Sequence, residues 1–217
     1  MFIINGVGLS SVRSWHFRKD FGIFRMTSRQ GIGMRRRFRE EKATQAAARL
    51  LKLRGGRMSY MKLIKLLYLV EREALARFGA PFTNDSYVSM PYGPVLSATL
   101  DRINEPEMYE DGYWTRHITP KRNYEVALRD PKSPPPRDQL SPADEALIDE
   151  IFQRYGEMSR WELVKLTHTL PEWVDPQGSA IPIRPDDILR SAGYSEEDIA
   201  AMKAEWDEAA YAESLFG

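Results

Sequence analysis

Cysteine is absent from the 217 residues, and histidine occurs three times, at His16, His117 and His168. The first absence removes disulfides, thiolate nucleophiles and thiolate metal sites together, and it suits a reducing cytoplasm, the expected location. The scarcity of histidine leaves no pair at i, i+4 and no HExxH, so neither a metal site nor a cofactor is expected. No apolar run approaches the roughly 20 residues that span a bilayer. The opening stretch, MFIINGVGLSSVRSW, lacks a basic lead-in and an A-x-A-like site, so no signal peptide is expected either. The G-x-S-x-G elbow, the P-loop and the G-x-G-x-x-G turn are all missing. Net charge is absent too: thirty-one basic residues balance thirty-one acidic ones. That balance gives no reason to expect a nucleic-acid binder, because counterion release needs a basic surface on the folded part.

The zero hides an asymmetry. Residues 1–39 hold nine Arg or Lys and one acid, Asp20, whereas residues 186–217 hold nine acids and two bases. Residues 1–33 are rich in Ser, Gly and Arg and show no sustained period. Three readings stay open for them: a start codon placed too early, with Met26 or Met34 as the true start; a disordered basic arm; or an organelle transit peptide. The organisation expected is therefore a basic segment over 1–37, a main domain over 38–185 and an acidic helical tail over 186–217.

From Phe38 the pattern is regular. FREEKATQAAARLLKLRGG puts Ala43, Ala46, Ala47, Leu50, Leu51 and Arg54 on one helical stripe, and Gly55-Gly56 stops it. In MSYMKLIKLLYLVEREALARFG, Ser59 is a candidate cap and Gly79 a stop. Leu63, Ile64, Leu67, Val70, Ala74, Leu75 and Phe78 make one face, while Leu66 and Leu69 widen it beyond a normal amphipathic stripe. Such a helix is packed on more than one side. Lys62 and Lys65 are read as a solvated face. NDSYVSM reads as a short extended piece, and Pro94 as the first residue of a helix through Ile103. Residues 113–128 alternate around Pro120–Asn123 and read as a β-hairpin. After the rigid connector DPKSPPPRDQ, Ser141 and Ser159 each open a helix, Ser159 with a capping box; Asp186-Asp187 and Ser195 open two more. The pairs Asp186-Asp187 and Glu196-Glu197 are read as solvated partners of helix dipoles. The fold class is mainly α (α+β): a compact multi-helix domain around a central buried helix, with a small antiparallel β element.

Chemistry is hard to find. His168, in KLTHTLPEW, is the one histidine in a suggestive setting, with Thr167 and Glu172 nearby as candidate orienting groups. The architectural alternative is a helix-end histidine that bonds a backbone carbonyl and packs on Trp173. Trp114, Trp161, Trp173 and Trp206 read as core fillers, although an exposed one would make a good interface anchor.

Three pieces in order carry a resemblance: KLIKLLYLVEREALARFGAPFTND, then YVSMPYGPVLSATLDRI, then LSPADEALIDEIFQRYGEMSRWELVKLTHTLPEW. Together, over residues 38–176, they resemble the Panacea domain, the SocA-like antitoxin family of prokaryotic and phage toxin–antitoxin systems. The resemblance implies a mostly helical domain with no enzymatic activity of its own. It implies direct binding and neutralisation of a cognate toxin encoded next door, with a role in phage defence among the possibilities. Delivery of the toxin to a ClpXP-type protease is a second mechanism open to such a domain. A DNA-binding autoregulator using residues 29–39, and a hydrolase using His168, are competing functions. A homodimer and a hetero-oligomer with the toxin both stay open, and the acidic tail is a candidate contact for a basic toxin surface. The motif residues transferred are Lys62, Leu63, Lys65, Leu66, Leu67 and Tyr68; Tyr92, Gly93, Pro94 and Val95; and Thr167, His168, Pro171 and Trp173, in structural or partner-binding roles. Tyr68 and Tyr92 are expected to bring hydroxyls near His168 in a shared polar network.

Overall fold

The nineteen-residue helix α2, Tyr60–Phe78, sets the architecture of the computed structural model, which describes residues 37–216. The readings of residues 1–33, the arm over 29–39 in its first part and His16 lie outside the described residues. Leu63, Ile64, Leu66, Leu67, Leu69, Val70 and Leu75 point in different directions around α2, and all are buried. A helix with apolar residues on so many sides needs several neighbours. They are α1 (Glu40–Leu53), α5 (Pro142–Tyr155), α6 (Arg160–His168) and α7 (Pro185–Ser191). The alanines of α1, Ala43, Ala46 and Ala47, are buried and let that helix approach closely. Arg54, placed on the stripe from sequence, lies just past the end of α1 and is exposed.

Helix boundaries follow local chemistry. Gly79 ends α2 in the left-handed region, at φ 63°. Ser141 and Ser159 each make a complete capping box, with Asp144 and Glu162 returning the bond. Ser59 stands at the N-cap of α2 without a capping bond, because strand β1 (Arg57–Ser59) runs straight into the helix and the Tyr60 N–H donates to Tyr124 O at 3.0 Å. Phe78, expected on the buried face, is 55% exposed as the last residue of α2.

Two small antiparallel sheets complete the domain. Strands β2 (Tyr87–Ser89), β3 (Val95–Leu96) and β5 (Ile181–Ile183) form one in the order β3-β2-β5, with Val88 opposite Val95 and Pro182. Pro182 is tolerated because β5 is an edge strand. The second sheet pairs β1 with β4 (Glu125–Ala127), Met58 opposite Val126.

Two sequence readings need correction here. Pro94 does not open a helix: Val95 and Leu96 pair as β3, and α3 begins at Ser97 and runs to Asn104. Nor is 113–128 a regular hairpin. Tyr113–His117 is a short helix, α4, that buries Trp114 against α1, and Ile118 follows one turn later in the core. Two isolated bridges, Ile118–Leu128 and Arg122–Glu125, are what remains of the hairpin, and β4 itself pairs with β1. Five residues show too little of either period to separate helix from strand.

The acidic end is anchored. Helix α8, Glu196–Phe216, docks by Ile199, Met202, Trp206 and Ala210, and the Trp206 indole N–H donates to Gly79 O at 2.9 Å. Asp186 is not solvated as read: it is 5% exposed and bridges Arg184 at 2.8 Å and Lys203 of α8 at 3.0 Å.

Candidate functional site

The three motif pieces, distant in sequence, meet beside α2. Lys65 is 1% exposed, and its ammonium donates to Pro94 O at 2.7 Å. Pro94 is presented by a tight turn in which the Gly93 N–H donates to Met90 O at 2.9 Å. Gly93 sits at φ +88°, and a Cβ there would lie 2.5 Å from Thr167 Oγ1 and 3.1 Å from Lys65 Nζ. Glycine is thus required twice, for backbone conformation and for space. Thr167 bends its hydroxyl back to Leu163 O and Val164 O at 2.9 and 3.1 Å. His168 stacks on Trp173 with ring centroids 4.0 Å apart, and Trp173 donates its indole N–H to Met90 O at 3.2 Å. The Tyr-Gly-Pro turn is therefore held from below by α2 and from the side by the end of α6.

Lys62 and Lys65, read as a solvated face, are both buried. Lys62 donates to Gly156 O and, at 2.7 Å, to Met158 O, which places its charge at the C-terminal end of α5. Each lysine lays an apolar stem along the core and gives its tip to carbonyl oxygens instead of water. Burial pushes the Lys65 ammonium down to about 7. Burial also lowers Lys62, with Arg54 adding to the effect. His168 is lowered by burial and then by Lys65, so the neutral ring is favoured.

His168 receives no bond from either proposed orienting group. Thr167 is spent on its own helix, and Glu172 accepts from Tyr68 Oη at 3.0 Å and from Arg72 Nε at 2.8 Å. Of the two tyrosines expected to join His168 in a polar network, Tyr68 gives its hydroxyl to the Glu172 of the half-buried Arg72–Glu172 pair, and Tyr92 lies edge-on to Trp161, centroids 5.9 Å apart. Of the remaining motif residues, Leu63, Leu66, Leu67 and Val95 are core, while Pro171 is exposed.

Two carboxylates were missed from sequence. Glu71, 1% exposed, accepts from Phe82 N at 2.7 Å, Thr83 N at 3.0 Å, Thr83 Oγ1 at 2.6 Å and Tyr87 Oη at 3.0 Å. Burial pushes it up to about 7 against those bonds, with Asp85 adding to the rise. Asp85 accepts from Ala98 N, Thr99 N and Thr99 Oγ1, and so caps α3 from outside it. The available signal was Glu71 sitting in an otherwise apolar run.

Outside this framework the surface is aromatic. Tyr92, Trp161 and Tyr124 are 54, 48 and 68% exposed. The Arg160 guanidinium stands 5.2 Å from the Trp161 ring centroid, and the Lys121 ammonium 4.7 Å from that of Tyr60. On another side, an open groove of about 550 Å³ runs along Lys42, Phe78, Phe82 and Asp144 and contains none of the motif residues. Among the described residues no group of three or more His, Asp or Glu is placed to hold a metal ion. No helix there is long and apolar enough to cross a membrane.

A family model described as "Antitoxin SocA-like, Panacea domain" matches residues 63–174, more than half of the chain. No curated protein and no solved structure matches. The segment matched begins at the second residue of the Lys-Leu-Ile-Lys-Leu-Leu-Tyr run and ends just past Trp173, so it takes in all but one of the motif residues gathered around α2. The chain belongs to the SocA-like, Panacea-domain antitoxin family.

Proposed function

We propose that this protein is a cytoplasmic antitoxin that neutralises the toxin encoded beside it by direct contact, and that it turns over no substrate. Family membership carries the reading. The internal chemistry supports it: Lys62, Lys65, Thr167 and Glu172 are all committed to bonds that hold the fold. A framework of that kind presents a surface, and neutralisation needs only an interface, on the order of 1,600 Å² for a stable complex.

The test is co-expression with the neighbouring reading frame. The expected result is that the neighbour alone arrests growth, that this protein restores it, and that the two co-purify. A neighbour that is harmless alone, or toxic and unrescued, would overturn the proposal. Rescue should persist in a host lacking ClpXP; its loss there would favour delivery to a protease. His168→Ala should leave rescue intact, whereas abolished rescue from a folded variant would favour a hydrolytic function.

A further inference from the structure

We propose that the surface around Tyr92 and Trp161, flanked by Arg160 and Lys121, is the face that grips the toxin, and that the toxin surface it meets is acidic. This rests on the antitoxin reading and specifies where and with what chemistry it is carried out.

Composition is the first argument. Tyr, Trp and Arg are the residues that dominate binding energy at protein interfaces. Here they adjoin one another: Trp161 lies against Tyr92, Arg160 over Trp161, and Lys121 over Tyr60. Tyr60 links the two halves, since its N–H donates to Tyr124 O and its hydroxyl is within electrostatic reach of Tyr124, Arg160 and Tyr92.

Charge is the second. Several surface arginines are neutralised within the chain: Arg49 pairs with Glu145 and Asp149, Arg77 with Glu73 and Glu150, and Arg190 with Asp187 and Glu196. Among the described residues, Arg160 and Lys121 have no carboxylate within ion-pair distance; each stands over an aromatic ring, and Lys121 also donates to Asn104 Oδ1 at 2.6 Å. Glu162, the acid nearest Arg160 in sequence, directs its carboxylate to the Ser159 N–H at 2.7 Å. Cations left without an internal carboxylate beside exposed aromatic rings are complementary to carboxylates on another molecule. A nucleic acid strand is the less fitting occupant, because two such cations on a chain of zero net charge supply little counterion release.

Rigidity is the third. Tyr92 rides on the turn that Lys65 and Gly93 hold, and Trp161 sits in the first turn of α6, fixed by the Ser159–Glu162 capping box. Anchors held in place before contact lose little freedom on binding.

The experiment measures binding of the purified neighbouring protein to wild type, Trp161→Ala, Arg160→Glu and, as a control on α8, Tyr211→Ala. Trp161 is half exposed, and Arg160 opens a helix whose first turn favours an acid, so both variants should keep the wild-type melting temperature. Trp161→Ala should weaken binding about thirtyfold, as for an interface hot spot. Arg160→Glu should weaken it at least about tenfold, with the loss shrinking as salt rises. Tyr211→Ala should stay within about twofold. Binding of Trp161→Ala and Arg160→Glu within about twofold of wild type would overturn the surface assignment while leaving the antitoxin reading in place. Failure of the wild type to bind or rescue would overturn both. A labelled single-stranded oligonucleotide bound tightly, with steep salt dependence and sensitivity to the same two substitutions, would replace the acidic protein partner with a nucleic acid.

Discussion

Replacing Lys65 with Met removes a buried positive charge while keeping a stem of similar length. In the folded chain Lys65 is 1% exposed, its ammonium donates to Pro94 O, and burial lowers it from 10.5 to about 7. That displacement corresponds to on the order of 5 kcal/mol of penalty on the charged form. Below pH about 7 the folded state carries the whole penalty. Between about 7 and 10.5 the folded chain releases the proton while the unfolded chain still holds it, so stability rises with pH. The slope is at most about 1.4 kcal/mol per pH unit, which gives about 3 kcal/mol between pH 7 and about 9.5. Lys65→Met should lose this rise. At pH 7 it should be more stable than wild type by about 2 kcal/mol, because relief of on the order of 5 kcal/mol of buried charge exceeds the loss of about 1–3 kcal/mol in leaving Pro94 O without its donor. Urea unfolding of both proteins across this range reads the difference directly: groups that Lys65 does not influence, Lys62 included, cancel in the subtraction, and His168, which Lys65 helps to lower, titrates below this window. Parallel stability profiles for the two proteins would refute the reasoning.

Glu71→Gln should produce a trend in the opposite pH window. The wild-type carboxyl is raised from 4.5 to about 7, so the folded state binds the extra proton and wild-type stability falls as pH climbs through that interval, by about 3 kcal/mol. The variant should lack this fall in denaturant titrations, beneath a constant loss from turning an amide toward four donors. Gly93→Ala should cost about 3 kcal/mol or more in thermal or urea unfolding, since it combines φ +88° with a Cβ 2.5 Å from Thr167 Oγ1; adding Thr167→Ala should recover part of it. Ser141→Ala and Ser159→Ala should each cost about 1 kcal/mol in urea unfolding, and the double variant about the sum.

Helix ends were legible because what satisfies them lies within a few residues. Ser141 with Asp144, Ser159 with Glu162 and Gly79 after Phe78 each meet the unpaired backbone groups of their own helix. The all-round apolarity of α2 likewise announced a surrounded helix, because no single stripe accounts for Leu66 and Leu69 beside Leu63, Leu67 and Val70. Sequence patterns stop short where the partner is remote. Strand β4 forms its ladder with β1 and only isolated bridges with the segment before it, and nothing in the alternation of 113–128 refers to Met58.

The candidate site divides in the same way. Its ingredients were visible in sequence: a Lys-Leu-Ile-Lys-Leu-Leu-Tyr helix, a Tyr-Gly-Pro-Val turn and a Thr-His before Pro-Glu-Trp. A lysine in an apolar run reads the same whether its tip ends in water or against carbonyls. The Gly156 carbonyl that receives Lys62 lies 94 residues away in sequence. The separation of His168 from Glu172, and the exposure of Trp161 while Trp114 is buried, are likewise set by how the chain closes on itself. Sequence by itself determined the helical class, most helix ends and the absence of thiol chemistry, because these depend on residue type and on neighbours along the chain. Tertiary structure alone decided which charges are buried, what holds them and which aromatic rings face outward, because desolvation and pairing depend on atoms that only folding brings together.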